Sequence, residues 1–310
     1  MSRIHEALKK AAQERSAPFN IGAEAAAVEI AREASHGVAT ETEAPPSLRH
    51  DRVISDNRRN PFVKYEEFIK LCAHPEWRMI DPLTSVFQNP NTRNMASERF
   101  RTLRSRLYQV GATRALRRLL VTSGVAAEGK TFVAANLAQS IAHQAERRVL
   151  LIDADLRAPR QHVAFGAPRS PGLTEYLRGE ADEFQVIQRG VVERLCLLCA
   201  GGEVDKPSEL LLGERMKYLL NGVSSVFDWI IIDSPPILPV HDASDLAGLT
   251  DGVLLVLRAG ATHAVVAEKA AEEFKGKNLL GVVLNQVKQD NSYGEYYYPY
   301  QNRTRDVPAA

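Results

Sequence analysis

From Arg118 onward, short and almost uninterrupted apolar runs recur: LLVTS after Arg118, RVLLID ending at Asp153, LCLLCA from Leu195, WIIID ending at Asp233, GVLLVLRA from Gly252 and LLGVVLN from Leu279. Runs this short with no polar face predict strands covered on both sides. The amphipathic stretches between them, FVAANLAQSIAHQ among these, predict the helices that cover them. The expected fold is α/β, built on a doubly wound, mostly parallel sheet. In such sheets ligands sit beyond the carboxyl ends of the strands, which is where the polar motifs of this chain fall.

Upstream the pattern is weaker. Ile4, Ala7, Leu8 and Ala11 follow the i, i+3, i+4, i+7 spacing of a short amphipathic helix over residues 1–15. From about Ser16 to Pro61 the chain is rich in Ala, Glu, Ser and Arg, contains Pro45-Pro46 and shows no sustained alternation, so linker or weakly helical material with little order is expected. Phe62 to Pro90 carries Phe68, Trp77 and Phe87 and offers a surface to pack on the main body. The expected division is therefore a helix at 1–15, linker and unassigned chain at 16–90, the main α/β domain at 91–287 and a tail at 288–310.

Composition narrows the function classes. With 45% hydrophobic and 25% charged residues, the chain of 310 residues is mostly ordinary globular protein. Its 39 basic and 38 acidic residues nearly cancel, so no global field recruits nucleic acid or an anionic bilayer. Three cysteines cannot form a disulfide framework and point to a reducing, cytoplasmic setting. The opening MSRIHEALKKAAQE has no apolar core of a leader, and no run approaches the roughly 18 apolar residues of a membrane span. Cys196 and Cys199 form a CxxC, but within the strand-like LCLLCA they point to opposite faces and are expected as buried core thiols.

The chemistry is concentrated at Gly124-Val125-Ala126-Ala127-Glu128-Gly129-Lys130-Thr131, a full GxxxxGK[ST] loop placed directly after a predicted strand and before a predicted helix. Its glycines let backbone N–H groups curl around phosphates at a helix N-terminus, Lys130 supplies a point charge, and Thr131 offers a hydroxyl to Mg²⁺. Asp233 ends the strand WIIID, where a carboxylate that holds Mg²⁺ must stand. Asp153 and Asp155 end RVLLIDAD; near a cation they can share in holding the metal or accept a proton from an attacking hydroxyl, and one of them can instead cap the following segment.

With these residues in view, the stretch from about Asn94 to Tyr300 resembles the bacterial tyrosine autokinases of capsule and exopolysaccharide synthesis, which have a MinD/ParA-like P-loop fold. The family's Walker A, A′ and B elements correspond to Gly124–Thr131, to VLLIDADLR with Asp153, Asp155 and Arg157, and to IIIDSPP with Asp233. SERFRTLRSRL, PSELL, FDWIIIDSPPILPVHDA and GVVLNQV are further similar stretches. The resemblance implies catalysis by Lys130, Asp153, Asp155 and Asp233, with Mg²⁺ on Thr131, Asp153 and Asp233. ATP contacts would come from Gly124, Glu128, Gly129, Lys130, Thr131, Phe132, Arg157 and Asn285. Ala127, Thr131 and Ala158 depart from the family's commonest residues without removing a catalytic group. The start, MSRIHEALKKA, is similar to kinases of exosortase-linked exopolysaccharide loci.

The resemblance also implies a ring-like homo-oligomer joined through Glu98, Arg101 and Arg104, and acceptor tyrosines in a C-terminal cluster. Five of the nine tyrosines, Tyr293, Tyr296, Tyr297, Tyr298 and Tyr300, stand in SYGEYYYPY. Taken alone, Glu98 and Arg101 read as an ordinary i, i+3 ion pair. Implied partners are an inner-membrane chain-length regulator that activates the kinase and recruits it to the cytoplasmic membrane, and a phosphotyrosine phosphatase; no nucleic acid is expected. The rival readings are a MinD/ParA-type positioning ATPase, whose signature lysine is replaced here by Val125, and a nucleotide-dependent assembly factor without kinase activity.

Overall fold

The computed structural model describes residues 29–30, 64–77, 84–87, 95–144, 146–190 and 192–287. Among them the sheet has eight strands: β1 Glu29–Ile30, β2 Arg118–Ser123, β3 Val149–Asp153, β4 Ile187–Arg189, β5 Leu195–Leu198, β6 Trp229–Asp233, β7 Gly252–Arg258 and β8 Leu279–Asn285. Their order is β1-β8-β7-β2-β6-β3-β5-β4. The six strands from β8 to β5 are parallel, and β1 and β4 close the edges antiparallel. All six apolar runs read from the sequence are these parallel strands.

Strand residues alternate between two cores, as the pleat requires. Leu120, Leu150, Ile152, Ile230, Ile232 and Leu255 face one side; Leu119, Val121, Leu151, Ile231, Leu254 and Val256 face the other. Cys196 and Cys199 fall in opposite cores, and all three cysteines are buried, their thiols pushed up by burial, Cys196 to about 12. Helix α3, Lys130–Ala142, is buried from Val133 to Ala142 because it lies between the sheet and α2, Met95–Gly111.

The body begins well before residue 91. Helix α1, Tyr65–Leu71, inserts Tyr65 and Phe68 edge-on against Phe227, each with 5.7 Å between ring centroids. Ala73 pairs with Gln188 of β4, and Trp77 meets Phe165. Residues 84–87 are stapled to α3: the Ser85 hydroxyl donates to Gln139 at 2.7 Å, and the Val86 N–H donates to Asn136 at 2.8 Å. These bonds satisfy the two amides, Asn136 and Gln139, that the helix buries among mostly apolar side chains. No described helix is long and apolar enough to cross a membrane. The expected helix at 1–15, the rest of the linker to Pro61 and the tail at 288–310 lie outside the described residues.

Register positions the site. Asp233 is level with Val121 on one side and with Asp153 on the other, so the carboxyl ends of β2, β6 and β3 stand side by side. The loop between β2 and α3 rises from the middle of that edge.

Candidate active site

The loop from Gly124 to Gly129 is shaped by contacts with two other elements. Glu128 is 2% exposed; its carboxylate accepts the Val125 N–H at 2.9 Å and the Thr262 hydroxyl, while Asn285 at the end of β8 donates to its carbonyl at 2.9 Å. Gly129 has φ +92°, and a Cβ there would stand 2.0 Å from Asn285 Nδ2. Glycine is thus required twice over, by the left-handed backbone and by the asparagine packed on it. Thr262 carries no motif that marks it in the sequence, and Glu128 and Asn285, expected as ATP contacts, here brace the loop itself.

Helix α3 begins at Lys130, whose Nζ reaches Asp155 Oδ2 at 2.7 Å, Asp233 Oδ1 at 3.7 Å and the Thr131 hydroxyl at 3.3 Å. Burial works against the ammonium, but Asp233 and Asp155 outweigh it and hold the lysine's pKa above its ordinary value. Burial drives the Asp233 carboxyl up, and that of Asp153, with Asp233 alongside, up to about 8. Three carboxyl groups gathered near one ammonium, two of them driven toward their neutral forms by burial and by neighbouring carboxylates, form a site that a further cation would complement.

The three aspartates are not equivalent. Asp153 accepts backbone N–H groups of Asp155, Arg160 and Gln161, so it pins the loop after β3 and caps α4, Gln161–Phe165. Asp155 accepts the Ala158 N–H on one oxygen and Lys130 on the other. Asp233 accepts Gln161 Nε2 on Oδ2 at 2.9 Å, but its buried Oδ1 has no hydrogen-bond partner among the described residues. Gln161, also missed by the sequence reading, bridges Asp233 and the Thr131 carbonyl. Among the described residues no three His, Cys, Asp or Glu side chains form a metal-holding group by themselves. The orphaned Asp233 Oδ1 beside the Thr131 hydroxyl fits a Mg²⁺ that draws its other ligands from phosphate and water.

Arg157 is held elsewhere: its Nε and Nη2 lie 2.9 and 3.4 Å from the two oxygens of buried Asp242, and Nη2 donates to Ser208 of α7, Pro207–Leu211, at 3.0 Å. Phe132 and Asn285 line a cavity of about 580 Å³ between α2 and the end of β8, walled by Phe100, Leu103, Val133 and Val287 and large enough for a purine ring. Glu98 pairs with Arg101 on α2, and Arg104 donates to the Ser140 carbonyl of α3, so within one chain the ExxRxxR residues already have partners.

A family model described as the CobQ/CobB/MinD/ParA nucleotide binding domain matches residues 119–308. Tyrosine-protein kinase YwqD of Bacillus subtilis is 37% identical over 217 residues, covering 68% of this chain and 91% of that protein. Tyrosine-protein kinase CpsD of Streptococcus agalactiae is 38% identical over 182 residues, covering 57% of this chain and 79% of that one. The kinase domain of Escherichia coli tyrosine kinase ETK superimposes with a TM-score of 0.63 at 30% identity, covering 72% of this chain and 94% of that domain.

Proposed function

From the premise that the chain belongs to the CobQ/CobB/MinD/ParA nucleotide-binding family and, within it, to the bacterial tyrosine-protein kinases, we propose that it transfers the γ-phosphoryl group of ATP to its own C-terminal tyrosine hydroxyls, releasing ADP. The chain is a protein-tyrosine kinase that uses ATP; which residues do what is our reading. The observation that carries it is Lys130, 2.7 Å from Asp155 and 3.7 Å from the Asp233 oxygen that has no hydrogen-bond partner among the described residues, at the mouth of a phosphate loop.

In this reading the amides of the loop cradle the phosphates, and Lys130 leaves Asp155 to neutralise the transferring group. Thr131 and Asp233 hold Mg²⁺, which when bound spreads the developing phosphate charge. Asp155, freed from its ion pair, orients the phenol and takes its proton; a tyrosine hydroxyl titrates near 10, so it needs such help at neutral pH. Asp153 keeps the loop in place through its amide bonds. Phe132 and Asn285 border the cavity that takes the adenine.

The acceptors are Tyr293, Tyr296, Tyr297, Tyr298 and Tyr300, reached from a neighbouring subunit in a ring-like oligomer that Glu98, Arg101 and Arg104 help to join. A membrane-bound chain-length regulator activates the kinase and brings it to the inner membrane, a phosphatase resets the tail, and the cycle controls exopolysaccharide polymerisation. The naming of similar proteins as tyrosine kinases and the loss of the positioning-ATPase lysine at Val125 support this reading over an ATPase without kinase activity. Incubation with Mg·ATP should produce phosphotyrosine, and the Lys130→Met protein should produce none. A folded Lys130→Met protein labelled as strongly as the wild type would end the assignment.

A further inference from the structure

Arg157 was expected among the nucleotide contacts, yet among the described residues its hydrogen bonds run to Asp242 and Ser208 and none to the phosphate loop. Asp242 is 1% exposed on its side chain, while Arg157 is 39% exposed and sits two residues after Asp155. A buried carboxylate and a hydroxyl therefore grip one edge of the guanidinium, and Ser208 also donates to Asp242 at 2.5 Å, closing a three-membered network. The Nη1 edge has no partner among the described residues. A guanidinium already immobilised along one side has lost its rotamer freedom in advance, so its other side can bind an anion at little further entropic cost.

We propose that Arg157, oriented by Asp242 and Ser208, is a specificity-determining residue that reads an anionic group beside the acceptor tyrosine. The proposal rests on the kinase reading above and names what that site selects. The tail supplies such groups: Glu295 directly precedes Tyr296-Tyr297-Tyr298, and once one tyrosine carries phosphate it becomes the anion beside the next. Asp242 and Ser208 are positioning residues, and the neutral tyrosine-rich segment is guided by its one flanking carboxylate past the acidic floor of the site.

The test uses the full chain with Mg·ATP and two synthetic acceptors: a peptide of residues 290–303 and its Glu295→Gln twin. The wild type should prefer the Glu295 peptide about fivefold in kcat/KM, the size of a half-exposed ion pair. Arg157→Gln should bring the ratio to about one. Arg157→Lys keeps a cation against Asp242, so it guards against a folding failure, and lacking a second edge it should also lose most of the preference. A wild type indifferent to Glu295, or an Arg157→Lys protein with the full preference, would overturn the proposal. So would an equal fall on both peptides with a raised KM for ATP, which would return Arg157 to the nucleotide. If the wild type labels its own tail but neither peptide, the proposal fails and the kinase reading stands; if nothing is labelled, both fail.

Discussion

Gly129 shows how tightly single residues are specified here. An alanine at φ +92° meets both backbone strain and a 2.0 Å approach to Asn285, so the loop must shift. Gly129→Ala should cost about 1–3 kcal/mol of stability and abolish the rise in melting temperature that an ATP analogue gives the wild type; an undiminished rise would show that the loop tolerates the shift. Gly124, Gly129, Lys130 and Thr131 were readable because phosphate binding imposes their spacing, and Asp233 because it ends an apolar strand beside them. Gln161, Ser208, Asp242 and Thr262 were not. Each acquires its role only through a partner 30 to 134 positions away, and no local spacing encodes that. Ser208 and Asp242 did lie in stretches noted for their likeness to the family, but without a role attached.

At the level of elements, the parallel strands were plain in the sequence because burial on both faces leaves no polar position to blur them. Helix α1 was not, since seven residues with two buried side chains give too short a period to detect. Its importance is nevertheless measurable. Phe68 is 5% exposed between Phe184 and Phe227, so Phe68→Ala should lower stability by about 3 kcal/mol, as large-to-small changes in a packed core do; a change near zero by denaturant titration would detach α1 from the core. A second element-level device ties the start of β3 to that of β6: Arg148 grips Asp228 through Nε at 3.0 Å and Nη2 at 2.8 Å, and its N–H donates to the same carboxylate. Burial opposes the charge on Asp228, but these bonds win and hold its pKa below the ordinary 3.8. A depressed carboxylate stabilises the fold fully above its unfolded value and ceases to do so as pH falls through the folded one. Asp228→Asn should therefore cost about 1 kcal/mol at neutral pH, and the gap to the wild type should close below about pH 4; a gap that persists in acid would assign the loss to packing.

The molecule as a whole gathers its function along one edge of the sheet, and the tail departs from the same edge, where β8 ends at Asn285. β8 stands three strands from β6, about 14 Å at the usual strand spacing. Tyr293, eight residues further on, can reach about 26 Å if extended. Reach therefore permits transfer within a subunit as well as between subunits of the proposed oligomer, and a mixing experiment decides between them. Mixing the Lys130→Met chain with an active chain lacking residues 288–310 should label the former; an unlabelled Lys130→Met chain would rule out transfer between subunits. Charge sets the sequel. Lys288, Arg303 and Arg305 offset Asp290, Glu295 and Asp306, whereas five phosphates add about −7.5 to −10. Phosphorylated tails should repel one another and dissolve the oligomer at low salt, less so when the charge is screened; identical sizes before and after phosphatase treatment at both salts would refute this. The buried cysteines bear on how such experiments are done. With all three sealed in the two cores and their thiols pushed well above neutral pH, the native chain presents no ready nucleophile to a maleimide dye. One cysteine introduced into the tail would then be the only fast-labelling position, and a fluorophore placed there would follow the tail's arrival and release in real time without any substitution in the kinase body.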